Sequence, residues 1–259
     1  MRVGMVGCRL GKVRGMEPRV RLREFADGGD GRLHVEMAQA GLLVVIAFGQ
    51  SYQVGVGTGP LAAGHGGFVI GAQSRYGRSR LLGRAEGVQI DLPWCSAARV
   101  FGPAVADLAD RALPLADVRI GLPPAAILAE RLSETPPGDR AAVVAGWLRG
   151  AASRQPAPNP TALRALRLID AGASSVSALA GELGCSRGYL HRSVRAATGQ
   201  PPSVLIRVAR LYRVLGPADA SRSWAQRADQ AGYTDHAHLC HETRALTGRT
   251  PSELLGGRW

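Results

Sequence analysis

The sequence predicts an α+β chain of two domains: a β-rich N-terminal domain that carries some helices, and an all-α C-terminal domain built as a double helix–turn–helix. Three observations predict this class. Residues 32–92 contain short apolar runs separated by glycine-rich breaks, a pattern typical of strands in a small barrel or sandwich. From Ala104 onward the apolar residues follow helical spacing. Near the C-terminus, one helical unit is written twice.

Composition and charge suggest where the domains begin and end. Residues 1–23 hold seven Lys or Arg and one Glu, which predicts a flexible basic tail. Residues 24–151 are predicted to form a β-rich sensing or dimerisation domain that ends in helices. Residues 152–159 form a proline-bearing linker, and residues 160–259 form the double helix–turn–helix.

The strands of the first domain are predicted from apolar runs. Leu42–Phe48 is a continuous apolar stretch typical of a buried strand. Tyr52–Val56, Phe68–Ala72 and Val88–Leu92 are further candidates, and the last of these alternates apolar and polar residues. Gly59–Gly67 is expected to be a glycine-rich break between strands.

Helices are predicted at the end of the same domain. Apolar residues at helical spacing between Ile127 and Leu148 are expected either to pack on the barrel or to pair two chains in a homodimer.

The repeat in the C-terminal domain is nearly literal. Thr198–Leu205 and Thr247–Leu254 both read T-G-x-x-P-S-x-L, 49 residues apart. The upstream residues Ala180, Gly184 and Leu190 have counterparts in Ala228, Gly232 and Leu239. Cap residues are expected at four helix N-termini, namely Asn159, Ser186, Asp235, and Thr250 with Glu253 in a capping box. Pro202 is expected to open a longer helix that joins the two units.

The charge is concentrated on the repeated part of the chain. The whole sequence carries a net charge of +12. Residues 156–259 hold thirteen arginines against seven acidic residues, whereas residues 24–155 hold twelve of each sign. A basic module beside a neutral one is the footprint of a polyanionic partner, and duplicated helix–turn–helix units make that partner double-stranded DNA.

The second helix of each unit is the candidate DNA reader. In the first unit Tyr189, Leu190 and Val194 are expected to face inward. The residues expected to contact DNA are Ser186, Arg187, Gly188, His191, Arg192 and Arg195 in the first unit, and His236, Ala237, His238, His241 and Arg244 in the second. Arginine bonds guanine or phosphate, and histidine donates to either.

Cysteine usage and hydropathy limit the setting of the protein. Cys8, Cys95, Cys185 and Cys240 form no C-x-x-C pair and fit no zinc spacing, so free thiols in a reducing cytoplasm are expected. The N-terminus lacks the apolar core of a secretory signal, and Leu42–Phe48 is too short to span a bilayer. No membrane partner is expected.

Catalytic, cofactor and metal sites are not expected. Gly55–Pro60 lacks the third glycine of a dinucleotide fingerprint, and no nucleophile elbow is present. The histidines around Cys240 divide between two helix faces, so they do not form a metal-ligand set. His34 and His65 are interpreted as structural or exposed. An enzyme in the β-rich domain is the least favoured hypothesis.

Residues 160–255 resemble the DNA-binding domain of the AraC/XylS family of transcriptional regulators. The residues that carry the resemblance are Leu179, Ala180, Gly184, Ser186, Leu190, Arg192, Thr198, Gly199, Pro202, Arg210, Gly232, Tyr233, Asp235, Leu239, Gly248, Thr250 and Pro251. The resemblance implies a regulator whose two subdomains enter successive major grooves. Gly66–Gly71, Gly87–Leu92 and Phe101–Gly102 resemble the cupin-like domain that precedes this module in many members. The β-rich, glycine-punctuated composition of this domain is compatible with a small ligand cavity, so it is expected to bind a small-molecule effector, to dimerise, or both.

Several positions depart from the family pattern. Val194 and Thr243 stand where the family usually has Phe, and His241 stands where it usually has Arg. The first helix of the second unit, around Trp224–Ala228, is polar for its place. An alternative therefore stays open: a degenerate helical interaction module without specific DNA binding.

Overall fold

The computed structural model describes residues 9–12, 20–27, 31–83, 85–118, 125–215 and 224–256. Eight strands form one antiparallel sheet, and their bounds are Arg9–Lys12 (β1), Arg21–Asp27 (β2), His34–Glu36 (β3), Gly41–Val56 (β4), Ala62–Ile70 (β5), Gly77–Leu82 (β6), Ala85–Pro93 (β7) and Ala112–Pro114 (β8). Their main order is β1-β2-β7-β4-β5-β8, and β6 pairs with both β3 and β4.

Strand β4 organises the sheet. Its first part pairs with β7 from Gly41 to Ala47, and its second part pairs with β6 from Ser51 to Val56. The pairing with β5 shifts register between Ile46 and Ser51. Such an irregularity bends and twists a strand, so one long strand serves two halves of a curved sheet. The sheet is thereby a β-rich half-barrel.

Two sequence predictions about this domain are wrong. The predicted flexible tail includes residues that lie in the sheet: β1, and Arg21–Arg23 at the start of β2, which pairs along its length with β7. Val20 and Leu22 are buried there, and their burial outweighs the basic composition around them. The predicted break at Gly59–Gly67 is largely strand, since β5 begins at Ala62 and β4 pairs with it through Gly67.

Three helices accompany the sheet, at Trp94–Phe101 (α1), Ala125–Glu134 (α2) and Arg140–Ala152 (α3). Short 3-10 turns occupy Gly102–Leu108 and Leu115–Asp117, so the helical pattern predicted from Ala104 is interrupted by β8. Leu132 of α2 and Leu148 of α3 are fully buried in the barrel core. Most apolar side chains of α2 and α3 therefore pack on the barrel, although Ile127 is 55% exposed.

The C-terminal domain consists of seven helices within the described residues, at Pro160–Ala171 (α4), Val176–Glu182 (α5), Arg187–Thr198 (α6), Pro202–Leu215 (α7), Trp224–Gln230 (α8), His236–Thr247 (α9) and Pro251–Gly256 (α10). The cap predictions are confirmed. Asn159, Ser186 and Asp235 each accept a hydrogen bond from a backbone N–H in the first turn of their helix. Thr250 and Glu253 bond reciprocally as a capping box.

The two domains share a hydrophobic core. Trp94, Cys95 and Ala98 of α1 pack with side chains of α4, α6 and α7, among them Leu166 and Leu190. The Cys95 thiol lies 3.6 Å from the carbonyl oxygen of Leu163, and burial raises its pKa to about 11. Cys95 and Cys185 are free thiols, as predicted, and Cys8 lies outside the described residues.

We predict that this shared core makes the two domains unfold together. Leu166→Ala should lower the free energy of unfolding by about 2–5 kcal/mol, because it leaves a cavity at a fully buried site. Leu82→Ala, at a position 41% exposed, should change it by less than about 0.5 kcal/mol. Urea denaturation followed by circular dichroism and tryptophan fluorescence checks both. Two separate transitions, of which Leu166→Ala shifts only one, would contradict the prediction.

Candidate nucleic-acid interface

The reading helix of the first unit, α6, presents a basic face to solvent. Ser186 caps it, since its Oγ accepts from the backbone N–H of Tyr189 at 3.2 Å. The exposed predicted contacts on this unit are Ser186, Arg187, Gly188, His191, Arg192 and Arg195. Leu190 and Val194 are fully buried on the opposite face. The structure thus brings all six predicted residues to one helix and its cap.

Tyr189 departs from the prediction. It was expected to face inward, but its side chain is 39% exposed. Asn159, the cap of α4, donates from Nδ2 to the Tyr189 hydroxyl at 3.2 Å, and this bond lowers the tyrosine pKa. The bond to the hydroxyl places the ring at the edge of the core, where Tyr189 connects the N-terminus of α4 to the start of α6. Tyr189 therefore joins the surface that the helix offers to a partner.

The reading helix of the second unit, α9, presents fewer cations. Ala237, His241 and Arg244 are exposed. His236 begins the helix, and its side chain lies outside the described residues. The side chain of His238 is 37% exposed, but its ring makes contacts within the unit, since its Nε2 lies 3.4 Å from Glu242 Oε2 and its Nδ1 lies 3.3 Å from Thr234 Oγ1.

Sequence reasoning missed the buried carboxylate of Glu242. Its side chain is only 3% exposed and accepts from the Tyr233 hydroxyl at 2.9 Å and from Arg207 Nε at 3.3 Å. Arg210 Nε approaches it at 3.9 Å. Burial, together with the neighbouring carboxylate, raises the pKa of Tyr233. In the sequence, Glu242 is a glutamate among the apolar positions of α9. Its partners lie on α7 and in the turn before α9, and the spacing of residues along the sequence did not indicate them.

Thr243 occupies a buried position on α9. It is fully buried, but its hydroxyl has no hydrogen-bond partner. One turn later, Thr247 donates from Oγ1 to the Thr243 carbonyl at 2.7 Å and to the Arg249 carbonyl at 3.0 Å. The two threonines of α9 therefore differ in whether the hydroxyl is satisfied.

Metal binding has no support in the part of the chain that the structure describes. No group of three His, Cys, Asp or Glu side chains there is arranged to hold an ion. His65 is exposed and its Nδ1 lies 2.9 Å from Ser51 Oγ, and His34 lies on the edge strand β3. Within the same residues, no helix combines the length and the apolar character that crossing a membrane requires.

Thr243→Val is predicted to raise the free energy of unfolding by about 1 kcal/mol, since it removes an unsatisfied buried hydroxyl at nearly constant shape. Thr247→Val is the matched control and should lower it by about 1 kcal/mol, because it removes a hydroxyl that takes part in three hydrogen bonds. Thermal and urea denaturation of the full chain measures both. Equal effects of the two substitutions would mean that the Thr243 hydroxyl has a partner in solution.

Known proteins resemble the chain in its C-terminal sequence and in its whole fold. The family model HTH_18, described as a helix-turn-helix domain, matches residues 179–256. No curated protein sequence matches the chain. The structure of ToxT from Vibrio cholerae has a TM-score of 0.51 and 12% identity, over 92% of this chain and 98% of that chain.

Two further structures are similar to this one. ToxT from Vibrio cholerae O395, bound to (E)-4-(8-methylnaphthalen-1-yl)but-3-enoic acid, has a TM-score of 0.51 and 11% identity, over 92% of this chain and 98% of that chain. The AraC-like transcriptional activator CuxR has a TM-score of 0.33 and 14% identity, over 82% and 80%. Residues 179–256 are an AraC-type helix–turn–helix domain, and the chain as a whole has the two-domain fold of ToxT.

Proposed function

We propose that this protein is a sequence-specific DNA-binding transcriptional regulator of the AraC/XylS type, controlled by its N-terminal domain. The observation that carries the proposal is the outer face of α6. Arg187, Arg192 and Arg195 are exposed there together with His191, while the inner face is closed by Leu190 and Val194. A capped helix with arginines on its free face suits the major groove, where guanidinium groups bond guanine and phosphate.

The two units contribute unequally in this proposal. Helix α6 reads bases, whereas α9 exposes a single arginine, Arg244, and directs His238 toward Glu242. The second unit therefore contacts mainly the DNA backbone. The same observation favours a second candidate function for α9, as a surface for protein rather than for bases.

Loss of Arg192 is predicted to weaken binding to a duplex selected from a randomised pool by about 1–3 kcal/mol. The matched control is Arg131→Ala, which removes an exposed arginine of α2 in the N-terminal domain and should leave affinity unchanged. Fluorescence anisotropy over a salt series measures both proteins. Wild-type affinity should fall with a log–log slope of about −0.9 per phosphate contact. Salt-independent binding, or equal losses in the two variants, would contradict the proposal.

Control by a small molecule is supported by a cavity between the domains. A cavity of about 210 Å³ is lined by Arg21 and Arg23 of β2, Asp91 of β7, Tyr212 of α7 and residues 39–42. Arg23 and Asp91 pair at 2.6 Å, and Arg21 is exposed. The lining thus carries two guanidinium groups against one carboxylate, which favours a small anion.

The position of Tyr212 suggests how such an effector would act. Its hydroxyl donates to Gln39 Oε1 at 3.2 Å, and burial raises its pKa, so it stays a neutral donor. Because α7 joins the two helix–turn–helix units, a ligand that contacts Tyr212 would act on the position of both units. ToxT binds a butenoic acid derivative, which supports a carboxylate as the class of ligand. Pairing of two chains stays part of the proposal, with Ile127 as the exposed apolar residue on α2.

A panel of monocarboxylates from acetate to octanoate, with the corresponding primary amides, tests the cavity. At least one acid should raise the Tm of the full chain, because a ligand that binds only the folded state stabilises it. The amide should not, and Arg21→Ala should remove the shift while Arg131→Ala keeps it. If Arg21→Ala responds like the parent, or no acid shifts the Tm, the cavity is not the effector site.

A further inference from the structure

The repeated T-G turn of each unit docks on the N-terminal domain. Gly199 ends α6 with φ of 77°, and a Cβ there would lie 2.6 Å from both the carbonyl oxygen of Ala106 and the Cβ of Ala109. Gly248 ends α9 with φ of 72°, and a Cβ there would lie 3.1 Å from the Val35 side chain. At both places glycine permits the left-handed turn and a close approach between domains. The N-terminal domain therefore holds both reading helices at their C-terminal ends.

One loop reaches both turns. This β5–β6 loop, residues 71–76, offers the Ala72 carbonyl to Gln200 Nε2 at 3.1 Å, directly after the first T-G turn. At its other end, the Tyr76 backbone N–H donates to the Ala245 carbonyl of α9 at 3.3 Å. The Tyr76 ring also lies where a Cβ on Gly248 would meet it at 3.3 Å. The loop is thus a bridge between the ends of α6 and α9.

Asp110 braces this bridge. Its carboxylate accepts from the Ser74 backbone N–H at 2.6 Å, from Ser74 Oγ at 2.8 Å and from Gln200 Nε2 at 2.8 Å. Its own N–H donates to Ala72 O at 3.0 Å. Among the residues that the structure describes, it alone is a non-glycine with positive φ, at 53°. Such a conformation persists where surrounding contacts enforce it, so Asp110 fixes the loop and Gln200 together.

The second unit relies on contacts outside itself at the end of α9. Among its described side chains, Val214, Ala228, Tyr233 and Leu239 form one small buried cluster. Leu246, at the end of α9, packs instead with the core that the first unit shares with α1. Its carbonyl accepts from the Ala38 N–H at 2.7 Å. The end of α9 is therefore positioned by the N-terminal domain as much as by its own unit.

The bridge leaves the reading surfaces open. It touches the last turns of α6 and α9, while Arg187, Arg192, Ala237 and His241 are exposed elsewhere on these helices. We propose that the β5–β6 loop, braced by Asp110 and Gln200, is a positioning element that fixes the separation of α6 and α9. The protein would then bind two groove segments at one spacing. The DNA part of this statement rests on the proposed function; the separation of the helices does not.

The separation is measured without DNA. Nitroxide labels are placed at Gly188→Cys and Ala237→Cys, which are exposed and occupy equivalent positions on the two reading helices. The native cysteines are replaced by serine, and buried Cys95 by alanine. Double electron–electron resonance should give one narrow distance distribution for this parent. Gln200→Ala and Asp110→Asn should broaden or shift it. The first removes the bonds of Gln200 to Ala72 and Asp110, and the second replaces a carboxylate oxygen that accepts from Gln200 and Ser74.

Arg249→Ala is the matched control, since Arg249 occupies the position of Gln200 in the second repeat and its recorded hydrogen bonds are made by its backbone. It should reproduce the parent distribution. Gln200→Ala keeps the test decisive if Asp110→Asn unfolds, as circular dichroism would reveal. Superposition of the Gln200→Ala distribution on that of the parent would overturn the proposal.

The consequence for DNA is tested with unlabelled protein and the duplex selected from the randomised pool. Inserting 5 bp, about half a helical turn, between the two protected segments should cost the wild type roughly tenfold or more in affinity, because a mismatched base pair alone typically costs this order. For Gln200→Ala, the same 5 bp insertion should lower the affinity by less than about threefold. Equal losses would contradict a positioning role. If no duplex is selected, the proposed function fails, while the distance measurement still decides the role of the loop.

Discussion

Helix α1 is buried between two cores, and the rest of the structure depends on this arrangement. All of its residues except Arg99 are buried. Ala97, Val100 and Phe101 belong to the barrel core, whereas Trp94, Cys95 and Ala98 belong to the core of the first helix–turn–helix unit. A helix with no solvent face cannot be withdrawn from either side without exposing apolar surface to water. The orientation of the first unit on the barrel is therefore set by packing rather than by the linker.

The second unit is attached in another way, and the difference follows from its composition. Among its described side chains, one cluster of four buried apolar residues is seen, and α9 carries a buried glutamate and a buried, unsatisfied threonine hydroxyl. A buried carboxylate needs partners, which Arg207 and Tyr233 supply. The stability of the second unit thus comes from polar bonds and from backbone contacts to the N-terminal domain, both of which are directional. The first unit is held by a broad apolar interface, whereas the end of α9 is held by the Leu246 side chain and by a few hydrogen bonds.

The sequence predicted local features well and long-range ones poorly. Asn159, Ser186 and Asp235 were recognisable as caps because a cap bonds residues two or three positions away. Residues 21–23 at the start of β2 were misjudged as tail because their partners in β7 lie more than sixty residues along the chain. Tyr189 was predicted to face inward from helical spacing alone. Its hydroxyl accepts from Asn159, which caps another helix, and spacing within one helix does not show such a partner. Glu242 was missed for the same reason.

By itself, the sequence determined that the C-terminal part of the chain holds two helix–turn–helix units, and that the second helix of the first unit is basic. Repetition, caps and apolar spacing are properties of neighbouring residues, and they survive without knowledge of the fold. Only the tertiary structure decided that one loop of the barrel contacts Gln200 after the first T-G turn and Gly248 in the second. It also decided that Asp110 and Gln200 meet at 2.8 Å across ninety residues, and that His238 turns toward Glu242. These contacts depend on how the curved sheet brings distant segments together, and no local pattern in the sequence encodes that distance.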